Sequence, residues 1–251
     1  NNNKRYWRIV LGPWLRFFID ISFDRYEIIK SATEKDHIVN IYKYDSTQWA
    51  PKSFLNFSNL INNESWNEVI FSECIKHFNT PYSVKSDINV TPDVEEIKKN
   101  ISFNSYLKKI FSFYERCIPN SLNRVVIISA YMNLLRLAKL QISMGQLPYL
   151  NGPMIEIPDS CINHALRESI KSDPCSDSFR HFIYSLIPLH IPKVYLENFL
   201  EFKSEVLTKY PKNPKTIFTS NAYQSDDAFK IWAAENVTNG KKLVVGQHGG
   251  N

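Results

Sequence analysis

Residues 215–251 restrict the fold more than any other stretch of this chain. Residues 216–220 (TIFTS) read as a short strand, β-branched and aromatic, between Pro214 and Asn221. The spacing of Phe229, Trp232, Ala233 and Val237 predicts a helix over residues 226–237. Gly240 stands where a left-handed C-cap is expected, and residues 242–246 return as a buried strand. Strand, helix and strand within about thirty residues make a βαβ unit, whose crossover is right-handed in nearly all proteins. Both strand ends, Ser220-Asn221 and Gln247-His248, then open on one edge of a parallel sheet. That carboxyl edge is where open α/β sheets bind ligands. It puts a polar, imidazole-bearing turn where a nucleotide or sugar phosphate would sit.

The unit is completed where the sequence stops, and the chain starts Asn1-Asn2-Asn3-Lys4-Arg5 without a Met. Two parallel strands cannot form a covered sheet alone, so the expectation is a fragment of a longer protein. Composition changes at Pro211, from mostly helical and aromatic to a clear strand–helix–strand alternation. The expected fold class is α/β. A helix-rich α/β domain over residues 1–210 is expected to precede the first βαβ unit of a Rossmann-like domain over residues 211–251.

Within the first part, residues 6–31 are strongly apolar, and Pro13 suits the first turn of a helix running to about residue 29. Arg16, Asp20 and Asp24 form one charged line on a helix otherwise apolar nearly all round, which predicts burial with that line facing a cleft or partner. Residues 37–44 read as a strand and residues 45–63 as irregular or short-helical. Ser65, with Glu68, suggests a capping box for a helix over residues 66–78. A loop over residues 83–89 is expected before a helix starting at Thr91-Pro92. Residues 125–131 suit a buried strand, and residues 132–144 a helix closed by Gly145. Asp159 would cap a helix over residues 160–172, Pro174, Pro188 and Pro192 mark breaks, and residues 194–210 form another helix.

Hydrophobic content of 43% and charged content of 22% are ordinary for a globular protein. A net charge of +5 is mild and the basic residues are scattered, so no nucleic-acid partner is indicated. Such a balance is compatible with phosphate-bearing substrates or with peripheral association at an anionic inner membrane. Cys74, Cys117, Cys161 and Cys175 have no Cys-x-x-Cys or zinc-ligand spacing, so reduced thiols in a cytoplasmic protein are expected and no metal site. No uncharged run approaches the roughly twenty residues of a membrane span.

His248 is the strongest candidate for chemistry. It follows a strand and precedes Gly249 and Gly250, which let the backbone approach a ligand. Its imidazole can act as general acid or base or donate to a phosphate, whereas a structural histidine capping a turn is the plainer alternative. Asp226 and Asp227 come next. Capping the following helix accounts for them most simply, but one could face the ligand edge as nucleophile, base or sugar-hydroxyl acceptor. Arg8, Asp20, Asp24 and Arg25 are charges in an apolar segment, either paired among themselves or facing substrate. His37, His77, His164, His181 and His190 default to structural or surface roles. The familiar glycine-rich nucleotide loops are absent, yet three of the seven glycines, Gly246, Gly249 and Gly250, fall in the last six residues.

Three segments together resemble a known family: Tyr6-Trp7-Arg8-Ile9-Val10-Leu11-Gly12-Pro13-Trp14-Leu15 with Asp24-Arg25; Ile191-Pro192 with Tyr195-Leu196-Glu197; and Ser220-Asn221, Asp226-Asp227 and residues 229–234 running to Gln247-His248-Gly249-Gly250. They resemble the transferases encoded in O-antigen and other surface-polysaccharide gene clusters of bacteria. That resemblance implies a GT-B-like glycosyltransferase, with two Rossmann-type domains and the active site between them. A more distant likeness is to retaining transferases that move the acidic sugar Kdo from a CMP donor. On it, Ser220, Asn221, Gln247, His248, Gly249 and Gly250 would hold a nucleotide-sugar donor, CMP-linked in that analogy. Asp227 or Asp226 would be the catalytic carboxylate, and Arg8 and Arg25, with Asp24 beside them, would contact substrate carboxylate or phosphate. The implied partners are that donor and a glycan or lipid-linked acceptor, with no cofactor. GT-B enzymes commonly need no metal, in keeping with the absence of an Asp-x-Asp motif. A transferase using a polyol-phosphate-type donor and a non-catalytic module of an assembly complex are the alternatives.

Overall fold

The computed structural model describes residues 2–33, 39–90, 114, 118–119, 124–150, 152–171 and 176–246. The chain divides into two compact units, each gathered from separate stretches. One takes Asn1–Pro13, Ile97–Pro158 and Leu200–Asn251; the other takes Trp14–Glu96 and Asp159–Phe199.

In the first unit the β-branched runs form a parallel sheet of β3 (Val125–Ile128), β4 (Thr216–Thr219) and β5 (Lys242–Val245), with β4 in the middle. Val125 lies opposite Thr216, and Thr216 opposite Lys242, so the strands also end level, at Ile128, Thr219 and Val245. The expected crossover is present as α10 (Asp227–Thr238), which ends where Gly240 takes a φ of 82°. Phe229, Ile231, Trp232, Ala233 and Ala234 on α10 are buried, and α1 (Asn2–Val10) packs on this helix with Tyr6 and Val10 inside. Tyr210 stacks on Trp232 with ring centroids 4.8 Å apart. Residues 242–246 were expected to be buried, but Val244 and Val245 are about half exposed. Among the described residues β5 is the edge of the sheet, paired only with β4.

At the other edge a side chain meets the first residue of β3. Gln146 turns its amide onto β3, accepting from the Val125 N–H at 3.0 Å and donating to the Val125 carbonyl at 2.7 Å. Gln141, fully buried on α5 (Leu134–Ser143), holds Gln146 at 3.2 Å and bonds the Tyr149 backbone in both directions, at 2.8 and 2.9 Å. At Val125 the Gln146 amide, held by Gln141, does what a neighbouring strand would do.

In the second unit α2 (Gly12–Thr33) starts on Pro13 as expected. Trp14, Phe18, Ser22 and Tyr26, four apart, form one buried stripe. The expectation of burial all round is corrected: Phe23 and Ile28 are each 47% exposed. The charged line is solvent-facing, with Arg16 and Asp20 paired at 3.7 Å. A parallel pair, β1 (Val39–Tyr44) and β2 (Tyr82–Val90), is joined through α3 (Phe54–Leu60) and α4 (Glu64–His77). Residues 83–89 are therefore strand and not loop, because Tyr82, Val84, Ile88 and Val90 keep a period of two. The helix expected from Thr91-Pro92 lies outside the described residues.

Helix starts differ from the sequence reading where another cap competes. Asn63 and not Ser65 caps α4, accepting from the Ser65 N–H at 2.8 Å. Asn163 and not Asp159 caps the shorter α6 (His164–Ser169). Both are asparagines, which cap as well as Ser or Asp. Capped by Asp177, α7 (Ser178–His190) carries Pro188 in its last turn instead of breaking there. The helix expected over residues 194–210 is only α8 (Phe199–Lys209), preceded by a 3-10 turn at Lys193–Tyr195. Glu197 explains the delay. Its carboxylate meets Arg167 at 2.6 and 2.8 Å and accepts from the Asn163 N–H at 3.2 Å. Arg167 also donates to the Pro188 and Ile191 carbonyls, at 2.7 and 3.1 Å.

Candidate functional site

Because β3, β4 and β5 end level, Ser129, Ser220 and Gly246 form a row along the carboxyl edge. The Ser220 N–H donates to the Ser129 carbonyl at 3.3 Å, and the Gly246 N–H to the Thr219 carbonyl at 2.8 Å. Ser129 takes a φ of 53°, in the left-handed region that serine rarely visits. Gly246 is held to glycine by crowding, since a Cβ there would stand 2.7 Å from the Phe218 ring and 3.3 Å from the Ser220 hydroxyl. After β4 the chain turns at once. The Thr219 hydroxyl accepts from the Ala222 N–H at 3.0 Å, starting the single turn α9 (Ala222–Ser225), and the Asn221 amide donates to the Tyr131 hydroxyl at 3.2 Å.

Beside this edge lies a cavity of about 690 Å³. Ser129 and Ala130, just past β3, form one side, and Asp226 and Ala228, at the start of α10, another. Met132, Leu134 and Met154 add an apolar wall, and Glu156, Glu205 and Lys209 bring charge. Lys209 is paired with Glu205. Asp226 caps α10, its carboxylate accepting from the Phe229 N–H at 2.9 Å. Burial raises its pKa above the usual carboxylate range, and the negative charge of Asp227 adds to this, while the Phe229 and Ala228 N–H groups and Lys230 oppose it. Tyr210, whose phenol burial and Asp226 push well up, stands close behind.

The adjacent Asp227 has a different environment. It meets the Lys230 ammonium at 2.8 Å, one turn along α10, and both side chains are almost wholly buried, at 3% and 0% exposure. Asp226 thus borders the cavity and Asp227 neutralises a buried lysine, a division of labour the paired letters do not reveal.

The structure sets Ser220 and Asn221 with Asp226 along this end of the sheet. Gln247, His248, Gly249 and Gly250 follow Gly246 and lie outside the described residues. Arg8 is elsewhere, lining a second cavity at the amino end of β5. Asp24 and Arg25 belong to the other unit, where Arg25 pairs with Asp24 at 2.6 Å and donates to the Asn67 amide oxygen at 3.1 Å. There too His190 is fully buried between the rings of Phe18 and Trp66, and burial, with the Arg167 charge, brings its pKa down to about 3. Cys74 and Cys161 are free thiols, whereas Cys117 and Cys175 fall outside the described residues.

Tyr210, Gln141 and Gln146 were not singled out from the sequence. Their roles depend on partners distant along the chain, although a Gln on each side of a helix C-cap glycine was a signal open to reading. Among the described residues no group of three or more His, Cys, Asp or Glu side chains converges as a metal site. Nor is any described helix long and apolar enough to cross a membrane.

Searches of the curated proteins and of the solved structures match nothing to this chain. The model of a family described as LIC12162 family transferase, in contrast, matches all of it, residues 1–251. The match takes in both the level strand ends and the acid-bordered cavity beside them, and it makes this a transferase: the chain belongs to the LIC12162 family.

Proposed function

We propose that this transferase is a glycosyltransferase of bacterial surface-polysaccharide assembly, moving a sugar from a nucleotide-activated donor to a glycan or lipid-linked acceptor. Asp226 carries the reading: a carboxyl group of raised pKa on the wall of a cavity at the carboxyl edge of a parallel sheet. Glycosyl transfer breaks the bond between the anomeric carbon and the nucleotide phosphate and forms one to an acceptor hydroxyl. The hydroxyl proton must go to a base, and the departing phosphate gains charge that donors must meet. In this reading Asp226 handles the proton or binds a sugar hydroxyl. Ser220, Asn221 and Gly246, with Gln247, His248, Gly249 and Gly250, surround the phosphates at the strand ends. Asp227 supports the site through Lys230 rather than touching substrate. The rest of a GT-B-like architecture, and peripheral placement on the cytoplasmic side of the inner membrane, belong to the same proposal.

The test is a thermal-shift panel of CMP, UDP, GDP, dTDP and CDP, followed by assay of Asp226→Asn with the donor so found. A nucleotide at a hundred times its dissociation constant adds about 2.7 kcal/mol of stability. Stabilisation by CMP supports a Kdo-like donor, and by another nucleotide a different sugar donor. Asp226→Asn, which keeps an N-cap, is expected to bind the nucleotide but lose roughly 10²–10⁴-fold in turnover. No response to any nucleotide would remove the reading in favour of a non-catalytic role.

A further inference from the structure

The amino end of the same sheet holds a second cavity, of about 640 Å³. Arg5 and Arg8, one turn apart on α1, line it together with Lys241 and Lys242, which follow the left-handed turn at Gly240. Among the described residues no carboxylate is in its wall. Among the described residues none of the four cations has an ion-pair partner. Glu235, near the end of α10, is taken by Lys203 at 2.7 Å. Its floor is apolar, with Ile9, Val237 and Leu243, and Val244 stands at the rim with 44% exposure.

Four like charges around one opening repel each other unless an anion joins them, and the carbonyl ends of α1 and α10 offset them only in part. Two arginines present flat forks of N–H donors and two lysines add point charges, a set suited to the several oxygens of a phosphate or diphosphate. We propose that Arg5, Arg8, Lys241 and Lys242 form a binding site for a phosphate-bearing ligand whose organic part rests on the Ile9, Val237 and Leu243 floor. It is separate from the edge where Asp226 lies, because Lys242 opens β5 and Gly246 follows its far end. The site therefore stands or falls independently of the donor reading.

Two sources supply such a group: a soluble phosphorylated compound or the headgroup of an anionic lipid. Titration calorimetry of the full 251-residue chain with inorganic pyrophosphate at low salt tests the first. Co-sedimentation with phosphatidylglycerol vesicles, against phosphatidylcholine vesicles, tests the second. Wild type is expected to bind in at least one arm, and Arg8→Gln/Lys242→Gln at least tenfold more weakly, with its thermal midpoint unchanged because both residues are exposed. The charge-keeping pair Arg8→Lys/Lys242→Arg should retain binding, which separates loss of charge from loss of fold. Binding of pyrophosphate identifies a soluble ligand; retention on phosphatidylglycerol alone identifies a headgroup. Absence of binding in both arms, or equal binding by the double glutamine variant, would overturn the site.

Discussion

Asp226 and Asp227 are neighbours in sequence but opposites in environment, and substitution should separate them. Asp226→Asn keeps the N-cap and removes a carboxylate whose charged form burial disfavours. For a carboxyl group raised in the fold, that group's own contribution to stability is complete below its unfolded pKa and is lost as pH rises through the folded one. The variant is therefore expected to match wild type in acid and to equal or exceed it at neutral pH, read as urea midpoints across that range. Asp227→Asn should do the reverse, leaving the buried Lys230 ammonium without its counter-charge, at a cost of about 3–5 kcal/mol. Replacing both members, as Asp227→Asn with Lys230→Met, should recover much of that loss. If Asp227→Asn proves harmless, Lys230 is balanced by some other group. The i, i+3 spacing of Asp227 and Lys230 was visible in the sequence, so their pairing could have been read there. That Asp226 borders a cavity could not, because Ser129, Gly152 and Glu205 reach that wall from remote parts of the chain.

At the scale of elements, Gln146 offers the sharpest test. Its amide accepts from the Val125 N–H and donates to the Val125 carbonyl, and Gln146→Ala is expected to cost about 1–3 kcal/mol in urea unfolding. A loss within error would mean that water replaces the clamp without penalty. The β4–α10–β5 unit was legible because each transition is punctuated, by Pro214, by the Asp226 cap and by Gly240. The strand β2 was not, since Ser83, Lys85, Ser86, Asp87 and Asn89 give it the composition of a loop while its apolar residues keep the strand period. The start of α8 was hidden for another reason. Leu196 keeps helical spacing to Phe199 and Leu200, but the Arg167–Glu197 pair holds that stretch, and Leu196 takes a φ of −129° and a ψ of −77°. Tertiary charge pairing prevailed over local periodicity. On α8 itself Phe202 and Val206 are buried, while Leu200 is 79% exposed.

For the whole molecule, acid should be destabilising through His190. Its folded pKa, about 3, lies below the unfolded value, so its contribution is complete above the unfolded pKa and is lost as pH falls toward the folded one. Stability is expected to decline from about pH 6.5 downward, the unfolded value for histidine, and His190→Gln to flatten that part of the profile in thermal unfolding. A profile unchanged by the substitution would place the acid sensitivity elsewhere. How strands pair across such distances was not readable from the sequence, because β3 joins β4 from a remote stretch and no local signal marks that register. Each unit leaves the chain and is rejoined later, and this has a consequence for synthesis. A ribosome delivers α1 well before α10, the helix that covers Tyr6 and Val10. Until α10 has emerged, the apolar stripe of α1 has nowhere native to go, and the nascent chain presents it to any chaperone within reach.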